Sequence, residues 1–290
     1  MDATGLALPP KRLPESQRAA LICLLADEDP VVYRTVRDKL VECGPSAREW
    51  LRPHLLSSDP LLRRRAHEIV EHFERQTADD RFLAFCLKQG EDLDLEQAAF
   101  LLSQTRHPGT NLEAYQALLE EFAGDLRERV AFARGSRGIL GTLNHYLFAE
   151  RGFHGNEEQY YDPDNSYFTK VLDRRVGIPI SLCLVYMLIA RRLRLPVAGV
   201  GLPGHFLCRF QSSSDELYID CFDGGRIMTK AGCVQEHLSG HYDLRDEYLV
   251  PLSPRRVLMR LCGNLHRIYY HFKVTDEITR CQRYLVALAR

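Results

Sequence analysis

The sequence predicts an α+β protein. An all-helical N-terminal part leads to one wholly apolar helix, a small antiparallel sheet follows it, and a short helical hairpin closes the chain. Three observations carry this. Residues 14 to about 104 repeat apolar side chains at three and four spacing, with few β-branched runs. From Pro179 to about Leu193 apolar residues (Leu182, Leu184, Val185, Leu188, Ile189) fall on nearly every side, and a helix without a polar face is a buried one. Immediately after it, Val197 to Leu202, His205 to Phe210 and Leu217 to Phe222 read as strands, and their short links favour antiparallel pairing.

Taken in chain order, the first helical part contains two similar stretches. Asp29-Pro30-Val31-Val32 is followed by Val36 and Leu40, and Asp59-Pro60-Leu61-Leu62 by Ala66 and Ile69. Asp before Pro suits a helix start: the carboxylate accepts from free first-turn amides, and Pro loses nothing at the first helical position. The pattern fits either a pair of HEAT-type hairpins or a plain helical bundle. A hinge at Arg106-His107-Pro108-Gly109 ends this part, giving an expected domain of residues 1–109. A helix from about Asn111 to Ala133 and another from Ile139 to Arg151 follow, separated by Gly135, Ser136 and Gly138. Tyr160 to Ser166 is rich in turn formers, and Asn165 or Ser166 can cap a helix from Tyr167 to about Arg175. The core is expected over 110–252 and the C-terminal hairpin over 253–290.

Composition narrows the function classes. Of 290 residues, 45% are hydrophobic and 27% charged, which excludes a wholly disordered chain. Lys plus Arg is 38 against 39 acids, a net charge of -1, so coating nucleic acid or an anionic membrane is not the expected task. The longest apolar-looking run, Ile178 to Ala190, is 13 residues, too short for a bilayer, and MDATGLALPPKR has no signal-like pattern. A cytoplasmic protein with no membrane partner is expected. Nine cysteines, an odd number with no C-x-x-C pair, fit neither a disulfide framework nor a zinc site, and most lie in apolar patterns as small core residues. Cys221, Cys233 and His237 lack a tight first ligand pair. Asp162, Asp164 and Ser166 imitate half a calcium loop, but Tyr167 and Asp173 stand where Gly and Glu belong, so no metal and no cofactor is expected. Arg63-Arg64-Arg65 reads as a solvated helix face. Residues 255–290 carry eight Arg or Lys against Asp276 and Glu277. Their apolar stripe of Leu258, Leu261, Leu265, Ile268 and Tyr269 must pack before the tail can touch anything else.

The informative stretch holds four motifs: LNHYLFAERGFHGN (143–156), YYDPDNSYFTKVLDRRVGIPISL (160–182), LPVAGVGLPGHFLCRF (195–210) and YIDCFDGG (218–225). Over roughly 110 to 250 the chain resembles the SirB-type transglutaminase-like family. Its helical N-terminal part is similar to that family's companion domain, and residues 255–290 resemble the start of a tetratricopeptide hairpin. The resemblance implies a papain-like core. In active relatives of that fold a Cys at the start of the buried helix attacks an acyl group, a His on the next strand acts as base, and an Asp on the strand after orients it. His205 of PGHF matches the His and Asp220 of YIDCF the Asp. The nucleophile position falls on Ser181, or on Ile180 if the register slips by one, and neither is Cys.

That substitution matters chemically. A thiol at a helix N-terminus beside His is largely thiolate at neutral pH, whereas a serine hydroxyl needs a well-aligned base and a formed oxyanion hole. Cys183 is the alternative nucleophile, but it lies about 200° around a helix from Ser181, so both cannot face His205. It reads more simply as a buried core thiol. His205 with Asp220 has its own plain reading as a satisfied polar pair. Asn165, Gly204, Gly224 and Gly225 are the candidate pocket residues. The expected function is a catalytically inactive protein-binding or regulatory module whose partner is another protein. Two alternatives stand beside it: a weak acyl-transfer or amide/ester hydrolase using Ser181 (or Cys183) with His205 and Asp220, and a small-molecule sensor.

Overall fold

The computed structural model describes residues 13–238 and 246–290. The N-terminal stretch read above for a signal segment lies outside them. The chain divides into two compact units, Met1–Ala78 and Asp79–Arg290.

The first unit is helical: α1 (Glu15–Leu24), α2 (Pro30–Glu42), α3 (Ser46–Leu51) and the first part of α4 (Pro60–Lys88). Both Asp-Pro pairs start helices. Asp29 Oδ1 accepts from Val31 N at 2.7 Å, and Asp59 Oδ1 from Leu61 N at 2.8 Å. Val36, Leu40, Leu51, Ala66 and Ile69 meet in this unit's own core.

The second unit begins within α4 and continues through α5 (Leu95–Arg106), α6 (Leu112–Phe132) and α7 (Gly135–Asn144), which passes into a π-helical turn, His145–Glu150. A two-stranded parallel pair, β1 (His154–Gly155) and β2 (Val176–Gly177), brackets α8 (Phe168–Arg174). Next come α9 (Pro179–Arg192), strands β3 (Val197–Leu202), β4 (His205–Gln211), β5 (Glu216–Asp220) and β6 (Arg226–Thr229), then α10 (Lys230–His237), α11 (Pro254–His271) and α12 (Thr275–Leu288). The sheet is antiparallel in the order β3-β4-β5-β6. The architecture is α+β, with a buried helix on a small antiparallel sheet and a helical hairpin at the C-terminus.

Apolar demand explains this packing. Every residue of α9 from Pro179 to Ala190 is buried. The sheet covers one side of it because strand side chains alternate. Phe206, Cys208, Phe210, Leu217 and Ile219 join the core around α9, whereas Val200, Leu202, Leu207, Tyr218 and Met228 form a second cluster on the opposite face. Cys233 of α10 and Leu249 close that second cluster.

The division of the chain differs from the boundary expected at residue 109. Phe82, Phe85, Cys86, Ala98 and Phe100 share the core of α9, so the helices before that hinge belong with the sheet. The hairpin of α11 and α12 shares it too, through Leu258, Leu261, Leu265, Tyr284 and Leu288. Arg255 clamps the hairpin in place: its guanidinium is buried and donates to the carbonyls of Cys86, Gln89, Ala287 and Leu288.

Candidate functional site

β3 and β4 are joined by Pro203 and Gly204 alone, since Leu202 pairs with His205. Pro at the first corner and Gly at φ 72° at the second follow the pattern of a type II turn. The turn delivers His205 as the first residue of β4. By strand alternation His205 and Asp220 share the face of Leu207 and Tyr218, the face away from α9. There His205 Nε2 meets Asp220 Oδ2 at 2.7 Å. Asp220 Oδ1 accepts from the backbone N–H groups of Phe222 and Asp223 at 3.0 and 3.2 Å. The carboxylate is therefore fully engaged, and Nδ1 is the ring nitrogen left over.

The electrostatics follow. Burial pulls the His205 pKa down, but the hydrogen bond and charge of Asp220 outweigh it and the net shift is upward. Burial pushes Asp220 up, yet His205 and the two amides bring it below the ordinary carboxylate value. His237 of α10 stacks on His205 with ring centroids 4.9 Å apart, and burial followed by the charge of His205 lowers its pKa. Phe222 meets the His205 ring edge-on, with Tyr160 beyond it.

His205 opens onto a cleft of about 870 Å³, walled by Tyr160, Pro179, Ile180, Gly204 and the polar side of α11. The candidate nucleophiles are placed otherwise. Ser181 is fully buried. Its hydroxyl donates to the Asn165 carbonyl at 2.6 Å and accepts from Ile178 N at 3.0 Å, so it closes the first turn of α9 and does not face His205. Cys183 faces the sheet from the α9 side, its thiol donating to Phe206 O at 3.5 Å. Burial pushes that thiol well above its ordinary pKa. At the start of α9, the residues that line the cleft together with His205 are Pro179 and Ile180.

The pocket candidates also separate. Gly204 lines the cleft. Asn165 is fully buried, donating to Gln159 O and accepting from Asn156, so it braces the loop that carries Tyr160. Gly224 and Gly225 form a left-handed turn after β5. Gly225 abuts Phe148 and accepts a hydrogen bond from Asn144, away from the cleft lining.

Among the described residues two groups converge closely enough to share a metal ion: His205 with Asp220 and His237, and Cys183 with Cys208 and Cys221. The first is already joined by the imidazole–carboxylate bond. In the second, Cys208 Sγ lies 3.6 Å from Cys183 O and Cys221 Sγ 3.8 Å from Cys208 Sγ, so each thiol already has an acceptor. The sequence marks His205 and Asp220 of the first group, but neither His237 beside them nor the second group. Positions 183, 208 and 221 are far apart in the chain, and His237 reaches His205 only because α10 folds back over the sheet. The cationic face of α11 was partly visible, as the side opposite its apolar stripe.

No solved structure gives a significant match to the chain. Among curated proteins it is 36% identical to a UPF0162 protein of Xylella fastidiosa strain 9a5c over 197 residues, 66% of this chain and 70% of that one. It is 30% identical to a UPF0162 protein of Pseudomonas aeruginosa over 190 residues, 63% of this chain and 67% of the relative. It is also 38% identical to human F-box only protein 21 over 135 residues, 44% of this chain and 21% of that protein. The sequence profile of the transglutaminase-like superfamily matches residues 113–263, which take in α9, the sheet, the His205–Asp220 pair and the start of α11. On the extent of that match, the chain belongs to the transglutaminase-like superfamily.

Proposed function

We propose that this protein is a catalytically silent member of its superfamily that works by binding another protein, in a regulatory role. One observation carries the reading: at the first turn of α9 the cleft wall beside His205 is Pro179 and Ile180, neither of which carries a nucleophile, while Ser181 and Cys183 are buried and bonded to backbone carbonyls. An isoleucine side chain has no atom that can attack an acyl carbon. The imidazole and carboxylate remain because they satisfy each other and two backbone amides just past the end of β5.

A residual acyl-transfer activity is the second reading, and one feature favours it. Cys183 lies close to His205 in the fold, its thiol donating to the carbonyl of Phe206, the residue after His205, at 3.5 Å. Treatment of the folded protein with fluorophosphonate and iodoacetamide probes, mapped by mass spectrometry, separates the two. The binding role predicts no modification of Ser181 or Cys183. Selective modification of either, abolished in His205→Ala, would establish a working nucleophile and overturn the proposal.

A further inference from the structure

We propose that the cleft beside His205 receives an acidic peptide segment of the partner protein, held by the polar face of α11. This rests on the binding role just argued and names the chemistry of what is bound. Arg256, Arg260, Asn264 and Arg267 line the cleft. Spaced at four, eight and eleven residues, they fall within about 80° of arc on the helix. From Arg256 to Arg267 the helix rises about 16 Å, the length of roughly five residues of extended peptide.

Among the described residues the charge of this face is left without a counter-ion. The guanidinium groups of Arg256 and Arg267 are exposed and make no ion pair or hydrogen bond with any described residue. Arg260 donates to the carbonyls of Leu202 and His205, which ties the face to the turn that carries the imidazole. Burial, and then repulsion from Arg267, acts against the charge of Arg260. Among the described lining residues the one carboxylate is Glu91, and it already accepts from Ser253. Four arginines line this cleft; Arg255 is spent on backbone carbonyls, which leaves Arg256, Arg260 and Arg267 on one face of α11 in a chain whose net charge is -1.

The other wall selects a peptide over a polynucleotide. Tyr160, Ile180, Pro203 and Leu252 make it apolar. Such a wall suits a segment that alternates carboxylates with apolar side chains. Sequence-independent nucleic-acid binding would instead call for a broad positive field, and the chain does not carry one. Guanidinium groups grip carboxylates in paired, planar contacts, and the unpaired Asn264 amide can meet the peptide backbone.

The test uses the full-length protein and the fluorescein-labelled peptide Asp-Glu-Leu-Asp-Phe-Glu-Asp. Controls are the same peptide with Asn and Gln for its acids, and an oligothymidylate of equal length. Fluorescence anisotropy should show the acidic peptide binding at least about tenfold more tightly than either control. Arg256→Glu with Arg267→Glu should weaken it by at least about tenfold. Both side chains are exposed, so the thermal midpoint should not move. Three outcomes overturn the inference: unchanged binding in the charge-reversed variant, equal binding of the oligothymidylate, or no acidic-peptide binding up to about 1 mM. Modification of Ser181 or Cys183 by the probes above would overturn the silent role while leaving a positive peptide result standing. Loss of peptide binding without such modification overturns only the present inference.

Discussion

His205 Nε2 and Asp220 Oδ2 are 2.7 Å apart on neighbouring strands, and Ile180 borders the cleft onto which His205 opens. The pair is built to hold a proton. Its energetic weight can be measured directly.

Asp220→Asn should lower the His205 pKa, read from imidazole resonances by NMR, because burial then acts with less opposition. His205 holds a raised pKa, so its share of stability is complete below the ordinary 6.5 and is lost as pH rises through the raised value. Asp220 holds a lowered pKa, so its share is complete above the ordinary 3.8 and is lost as pH falls through the lowered value. The pair therefore stabilises most between those two ordinary values. In that window urea unfolding of Asp220→Asn should show a loss of roughly 1–2 kcal/mol, shrinking above the raised histidine pKa. Loss of equal size at every pH would contradict this.

Ile180→Cys should create a reactive thiol. The new sulfur would sit in the first turn of α9 at the cleft, where a helix N-terminus and a nearby imidazole favour thiolate. Iodoacetamide labelling at neutral pH should exceed that of any core cysteine by at least about tenfold, and it should slow in the double variant with His205→Ala. Labelling indifferent to His205 would show that the imidazole does not face that position.

Ser181→Ala should behave as a stability variant only. It leaves the buried Ile178 N–H and Asn165 carbonyl without their partner, a loss of about 1–3 kcal/mol in chemical denaturation. Peptide binding in the cleft should be unchanged.

Gly225→Ala should be among the most damaging small changes. The residue sits at φ 80°, and an added Cβ would lie 2.5 Å from the Phe148 ring. Backbone strain and overpacking together predict a loss of about 2–4 kcal/mol, read as a lowered thermal midpoint.

Thiol titration tests the core. Cys23 is exposed and the other eight cysteines are buried. A disulfide reagent should find one fast thiol in the native protein and the remainder only on unfolding. A second fast thiol at Cys183, Cys208 or Cys221 would mean that the wall between α9 and the sheet opens.

Much of this arrangement was legible in the residues. The apolar wrap of Pro179 to Ala190 fixed a buried helix, and the alternation through 197–210 placed β3 and β4. The PGHF and YIDCF motifs marked the two residues that meet at 2.7 Å. What escaped was either short or non-local. Arg226–Thr229 makes a strand of four residues after two glycines, too brief to show a period. The hydroxyl of Ser181 could not be assigned between base and backbone, because only the carbonyl of Asn165, sixteen residues earlier, decides it. That residues 79–109 pack with α9 turned on Phe82 and Phe100, which look like any helix core until α9 is seen beside them.

The Pro203–Gly204 link sets more than a bend. Lengthen it by a single residue while the β4–β5 register holds, and His205 no longer pairs with Leu202. Let the added residue instead shift β4 by one place, and the strand turns over: Phe206, Cys208 and Phe210 would face away from α9 and the imidazole towards it. The whereabouts of this imidazole is thus governed by two residues that carry no ionisable group, and indels there, rather than substitutions at His205, are the changes that would erase the site while leaving its residues intact.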